Sequence, residues 1–178
     1  MSGGLFASAL LRETGLDITD GLVDRLQRLH AEAYARRSHE VGPLPGAREL
    51  LRYLTEADVP WAIATSGRME TAKPTLDALG VDRERVAVVT RDQVRRAKPD
   101  PDLFLAAAER LSVNISHAVI VGDSIWDLLA ARRAHALGVG LLSGGYGPEE
   151  LERAGAYRVY EDTQDLLRHL DEIGVRPA

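Results

Sequence analysis

From Pro60 onward the chain alternates short, wholly apolar runs with helical stretches, and that alternation restricts it to one fold class. The runs are Trp61–Ala64, Val86–Val89, Ala118–Val121 and Leu137–Leu142, with a shorter one at Tyr157–Tyr160. Helical spacing falls between and after them, at 69–79, 101–111, 125–136, 148–154 and 162–171. A run that is apolar throughout suits a strand covered on both faces. Strands that alternate with helices pair in parallel, because each helix carries the chain back across the sheet. The expected class is therefore α/β, a parallel sheet with covering helices, and a ligand site at the carboxyl ends of the strands.

The first forty residues read differently. Leu22, Leu26, Leu29 and Ala33 recur at helical spacing between charged residues, and Thr19 or Asp20 is placed to cap that helix. A shorter helix is expected over 5–13, ended by Gly15, and no strand is expected before residue 60. Two prolines and two glycines in Gly42-Pro-Leu-Pro-Gly46 mark a hinge. The expected division is a partial helical cap over 1–41, a hinge over 42–46 and an α/β core over 47–178.

Composition narrows the partners. A net charge of −5 with no clustered excess of Lys and Arg carries no nucleic-acid footprint. No apolar run approaches the roughly 20 residues that span a bilayer, and Met1–Ser8 lacks the form of a signal peptide. With no cysteine there is neither a disulfide framework nor a thiolate metal site, which fits a cytoplasmic protein. His30, His39, His117, His135 and His169 are scattered without metal-ligand spacing. Gly138, Gly140, Gly144 and Gly145 do not have the spacing of a dinucleotide fingerprint and read as strand and loop residues.

Three predicted strands end in residues able to bind an anion or a metal. Ile63–Ala64 runs into Thr65-Ser66-Gly67 ahead of a helix, where hydroxyls and backbone N–H groups gather around negative charge. Lys98 precedes Pro99, which biases its backbone toward an extended form and lets its side chain reach into a cleft. Asp123 follows a buried run and Asp127 lies one helical turn beyond, so two hard carboxylates approach one place, as Mg2+ requires. Each segment also has a plainer reading: a Ser/Thr helix cap, a solvated basic run, and a helix cap with a carboxylate on the helix dipole. The order of the three, each at a strand end, is what favours chemistry.

In that order the segments resemble the haloacid dehalogenase superfamily, in the phosphoglycolate phosphatase and β-phosphoglucomutase branch. Ala64-Thr-Ser66 resembles its second motif, Lys98-Pro99 its third, Gly122-Asp-Ser-Ile-Trp-Asp127 its fourth, and Leu44-Pro-Gly-Ala47 the segment joining cap to core. The resemblance implies a Rossmann-like core and Mg2+-dependent phosphoryl transfer on a small phosphorylated metabolite. It gives phosphate binding to Ser66, Thr65, Gly67 and Lys98, with Ser66, Lys98 and Asp123 as the catalytic set. Asp123 would hold Mg2+ directly, and Asp127 directly or through water.

The first motif of that superfamily, Asp-x-Asp-x-Thr after the first strand, has no counterpart here. The nearest string, Asp17-Ile-Thr-Asp20, spaces its acids three apart and reads as a turn and helix cap. The missing strand would be central, so the strands ending near Thr65 and Val121 should face a slot that something fills, or close on each other. Three explanations stay open: a fragment begun at an internal Met, which is favoured, a split enzyme whose strand comes from another chain, or a degenerate relative. Inactivity alone and weak Mg2+ binding are expected. A catalytically silent phosphate-binding or interaction module is the alternative.

Overall fold

The computed structural model describes residues 11–14 and 19–175. The expected helix over 5–13 lies largely outside the described residues, of which 11–14 are helical. Helix α1 (Asp20–Arg37) follows, and the Thr19 hydroxyl accepts the Leu22 N–H at 3.3 Å, so Thr19 supplies a cap. Next come α2 (Ala47–Glu56), β1 (Ala62–Ala64), α3 (Met69–Leu79), β2 (Ala87–Val89) and α4 (Asp102–Leu111). The chain ends with β3 (Val119–Gly122), α5 (Ile125–Arg133), β4 (Leu137–Leu141), α6 (Pro148–Ala154), β5 (Ala156–Tyr160) and α7 (Thr163–Arg168). Every predicted strand of the core forms. Helix α5 stops three residues short of the expected 136, where His135 turns to positive φ, and the last predicted helix divides into α7 and a 3-10 turn over Leu170–Ile173.

All pairing is parallel, as expected for strands joined by helices. The strands form two sheets, β1-β2 and β3-β4-β5. Among the described residues neither expected solution for the slot is realised: β1 and β3 do not pair with each other, and no strand lies between them.

Helices hold the two sheets in register across that division. Alternate residues of a strand face opposite sides. On one side Val119 of β3 packs in a cluster with Leu50 and Leu54 of α2, while Ile63 of β1 packs in another with Leu51 of the same helix. On the other side Ala62 and Ala64 pack with Leu103 and Ala107 of α4, and Ile120 with Phe104. Thus α2 and α4 each touch both sheets, from opposite faces. The strands between them are only partly covered: all of β1 is half-buried and Val121, in the middle of β3, is 41% exposed. An apolar residue at the centre of a complete parallel sheet is ordinarily buried.

The end of the predicted hinge is pinned to the core. Gly46 has φ +76°, and a Cβ there would lie 2.5 Å from the Gln164 Cα, so only glycine fits both the turn and the contact with α7. The Thr163 hydroxyl donates to the Pro45 carbonyl alongside.

Candidate phosphoryl-transfer site

The polar ends of β1 and β2 are stitched together before any ligand is considered. The Arg91 N–H donates to the Gly67 carbonyl at 3.0 Å, and Asp92 takes both the Met69 N–H and the Arg68 guanidinium at 2.9 Å. These bonds hold the loop 65–68 at the start of α3. Within it the Gly67 N–H, expected to face an anion, donates to the Thr65 hydroxyl at 3.1 Å. Thr65 and Gly67 therefore shape the turn, whereas the helix N-cap is Arg68 and takes no side-chain cap bond, so neither Thr65 nor Ser66 caps α3. Ser66 differs: its Oγ is buried and has no hydrogen-bond partner. An unmade hydrogen bond at a buried hydroxyl costs about 1–3 kcal/mol, which a ligand oxygen would offset.

Lys98 crosses from one sheet to the other. The Thr65 N–H points toward β2, onto the Val89 carbonyl at 2.9 Å. Successive residues of a strand point their backbone groups to opposite sides, so the Ala64 carbonyl points into the division. Lys98 Nζ donates to that carbonyl at 2.9 Å and pairs with Asp127 Oδ1 at 2.7 Å, with the Phe104 ring 5.1 Å away. Far from being a solvated basic residue, its side chain is only 13% exposed.

Asp127 closes the arrangement. Ser124 and Asp127 form a capping box at the start of α5, with the Ser124 hydroxyl donating to Asp127 Oδ2 at 2.6 Å. The carboxylate folds back over the end of β3 so tightly that a Cβ on Gly122 would lie 2.3 Å from the Asp127 Cβ. Glycine at the strand end is thus what leaves room for the Asp127 side chain there. Both Asp127 oxygens are committed, one to Lys98 and one to Ser124, which favours an indirect over a direct role toward a metal.

Asp123 sits between strand and capping box. Burial pushes its carboxyl above the usual range, the neighbouring Asp127 carboxylate adds to this, and its own backbone N–H and Lys98 pull the other way. The folded state therefore holds the Asp123 proton more tightly than the unfolded chain does. Its stabilising contribution is fully present below the unfolded value, near pH 3.9, and is lost as pH rises through the folded one. In metal-free buffer Asp123→Asn should melt above the wild type at pH 7, with the gap closing toward pH 4. Thermal melts at both pH values check this, and a lower melt for Asp123→Asn at pH 7 would reverse the sign.

As a divalent-cation site the described residues fit in part. Asp123 and Asp127 are hard oxygen donors at one strand end, but no group of three or more His, Cys, Asp or Glu is found among the described residues. Mg2+ commonly takes one or two protein carboxylates and fills the rest of its shell with water and substrate oxygen. The pair meets that minimum only with Asp127 acting through water.

A cleft of about 1810 Å3 opens beside Thr65, Ser66, Gly67 and Ser124; Lys98, Asp123 and Asp127 do not line it. One wall is α1, with Leu26, His30 and Tyr34; the other includes Ser66, Thr75 and Trp126. The Tyr34 and Thr75 hydroxyls meet at 3.0 Å and tie α1 to α3. Arg91, Trp126 and Tyr146 also line the cleft and were not picked out from the sequence. Arg91 follows the end of β2 as Ser66 follows the end of β1, so the strand-end rule itself pointed to it.

A parallel α/β core with a buried hydroxyl, a largely buried Lys and a carboxylate pair near its strand ends has the form of the haloacid dehalogenase-like hydrolases. Residues 6–135 match the haloacid dehalogenase-like hydrolase family, and the chain belongs to it. It is 34% identical to phosphoglycolate phosphatase of Caulobacter vibrioides over 141 residues, 79% of this chain and 59% of that one. The solved hydrolase from Pseudomonas syringae superposes with a TM-score of 0.93 at 56% identity, covering 98% of this chain and 80% of that one. The putative β-phosphoglucomutase from Thermotoga maritima gives 0.72 at 29% identity, over 91% and 75%. The chain spans between 41% and 59% of the length of four of its curated relatives. Among the described residues no helix is long and apolar enough to cross a membrane.

Proposed function

We propose that this chain carries the phosphate-holding part of a phosphoryl-transfer site for a small phosphorylated metabolite, and that it lacks the nucleophile. The observation that carries this reading is the Ser66 hydroxyl, buried without a hydrogen-bond partner beside Thr65 and Gly67, which bond to each other. Ser66 would donate to a phosphoryl oxygen, and the Lys98 ammonium would balance the added negative charge. Asp123, with Asp127 through water, would hold Mg2+, which supplies electrostatic stabilisation of phosphoryl oxygens when bound. Residues 1–41 would act as a partial cap over the core 47–178, with 42–46 as the hinge between them.

The division between the sheets supports the second half of the proposal. Among the described residues β1 and β3 each have one unpaired edge, and β1 is half-buried along its length. That arrangement suits an additional strand bearing the missing acids. The sequence itself contains no Asp-x-Asp-x-Thr.

The test is a paired measurement on the chain as it stands. Orthophosphate should bind in a titration followed by NMR, and Ser66→Ala should weaken binding about tenfold, in line with a lost hydrogen bond to a charged group. The same chain with Mg2+ should leave p-nitrophenyl phosphate intact. Turnover would show that another residue acts as nucleophile. Phosphate binding indifferent to Ser66→Ala would remove the phosphate-holding reading.

A further inference from the structure

The geometry points to Arg91 as the residue that recognises a second anionic group on the substrate, so that the preferred ligand is a phosphate ester carrying a carboxylate or another phosphate. This rests on the phosphate-holding role proposed above and adds the chemical class of the remainder of the substrate.

Arg91 stands directly after the buried end of β2, where Val89 and Thr90 are 0% and 1% exposed. Its backbone N–H is bound to the Gly67 carbonyl, so its position is fixed relative to the Ser66 loop. Its side chain is half-buried along the same cleft wall. One guanidinium nitrogen donates to the Val94 carbonyl at 2.7 Å, which holds the side chain in place. Among the described residues no carboxylate lies within ion-pair distance of it, although Arg68, one loop away, is matched by Asp92.

A half-buried guanidinium without a countercharge is an unusual thing to hold rigid. Arginine has five N–H donors, and the bond to Val94 leaves enough for the paired contact that carboxylates and phosphates accept. The rest of the cleft has the same bias: Arg28 of α1 also lines it without an ion-pair partner among the described residues, and Asp24 is the acid on the lining. The phosphoryl group itself is already provided for by Ser66 and Lys98. Arg91 is thus a specificity residue, placed to accept charge at the other end of the molecule.

The experiment titrates this chain by NMR with three non-hydrolysable probes of one length: propylphosphonate, 3-phosphonopropionate and ethane-1,2-bisphosphonate. At least one of the two doubly anionic probes should bind ten times more tightly than propylphosphonate, and which one does so separates a carboxylate from a second phosphate. Arg91→Met should remove that advantage and leave the propylphosphonate affinity within twofold, while Arg91→Lys should restore part of it. Equal affinity of the three probes for the wild type, or an advantage that survives in Arg91→Met, would overturn the assignment. If Arg91→Met does not fold, the wild-type series and Arg91→Lys decide: a lysine that keeps the full advantage shows the guanidinium fork is not used. No binding of propylphosphonate to the wild type would instead bring down the phosphate-holding reading, and this inference with it.

Discussion

Supplied with a peptide of apolar strand residues ending in Asp-x-Asp-x-Thr, this chain is expected to hydrolyse p-nitrophenyl phosphate in the presence of Mg2+ at least ~100-fold faster than without it. The expectation follows from what already stands around the slot. Among the described residues β1 and β3 each pair on one edge only, and α2 and α4 span the division from opposite faces, so the walls are built before the strand arrives. A strand added between two prepared edges gains main-chain hydrogen bonds on both sides, the mode by which extended peptides augment sheets. It would also cover Val121 and the half-exposed β1. Its end would lie level with Ser66, Lys98 and Asp123, because all three stand at or beside the ends of the flanking strands. A nucleophile and a general acid–base together are worth several orders of magnitude in rate, and a hundredfold gain is a low bound.

The control separates binding from chemistry. A peptide with its first Asp replaced by Asn should raise the melting temperature as the active one does and give no turnover. Stabilisation and activity from the intact peptide identify a site completed by a strand. Stabilisation without activity from either leaves the silent phosphate-binding module. No stabilisation by either peptide shows that the slot does not accept a strand, and the proposed division of the enzyme falls.

The core was legible because its strands are short apolar runs and its helices carry apolar residues at helical spacing, so the two patterns alternate along the chain. Strand-end residues were legible for the same reason: where an apolar run stops, the polar residue that follows lies at the sheet's carboxyl edge. Ser66 and Asp123 were picked out in this way, Lys98 by the proline that follows it and Asp127 by its helical spacing from Asp123. How these side chains are used was not legible, since that depends on partners distant in sequence. Nothing near Thr65 tells that its hydroxyl would take the Gly67 N–H and leave Ser66 as the unpartnered one. Nothing near Lys98 tells that it would reach the Ala64 carbonyl, 34 residues earlier. That β1 and β3 stay apart among the described residues could not be read, because it depends on α2 and α4 each packing against both sheets, a matter of tertiary contact that periodicity does not encode.

Replacing Lys98 with methionine should cost about 3–5 kcal/mol of folding stability, the range for removing one partner of a buried ion pair. Methionine keeps the apolar stem packed near Phe104 and removes only the ammonium. The Asp127 carboxyl, on a side chain 9% exposed, then loses the cation 2.7 Å away and keeps only its bonds from Ser124. At the same time the Ala64 carbonyl loses its donor at the edge of β1. For a chain of this size the loss corresponds to a fall in melting temperature of roughly 6–20 °C. Lys98→Met combined with Asp127→Asn should recover much of it, since the remaining side chain is neutral and still bonded to Ser124, and the coupling between the two changes is what a double-mutant cycle reads. The reason to expect an effect at the upper end is position. The ion pair lies at the open division, where the two sheets share no strand pairing among the described residues, so losing the ammonium cuts a polar link between β1 and the helix that follows β3. A cost below about 1 kcal/mol, the level of an exposed ion pair, would mean that α2 and α4 hold the two sheets together without it, and that Lys98 stands there for the phosphate alone.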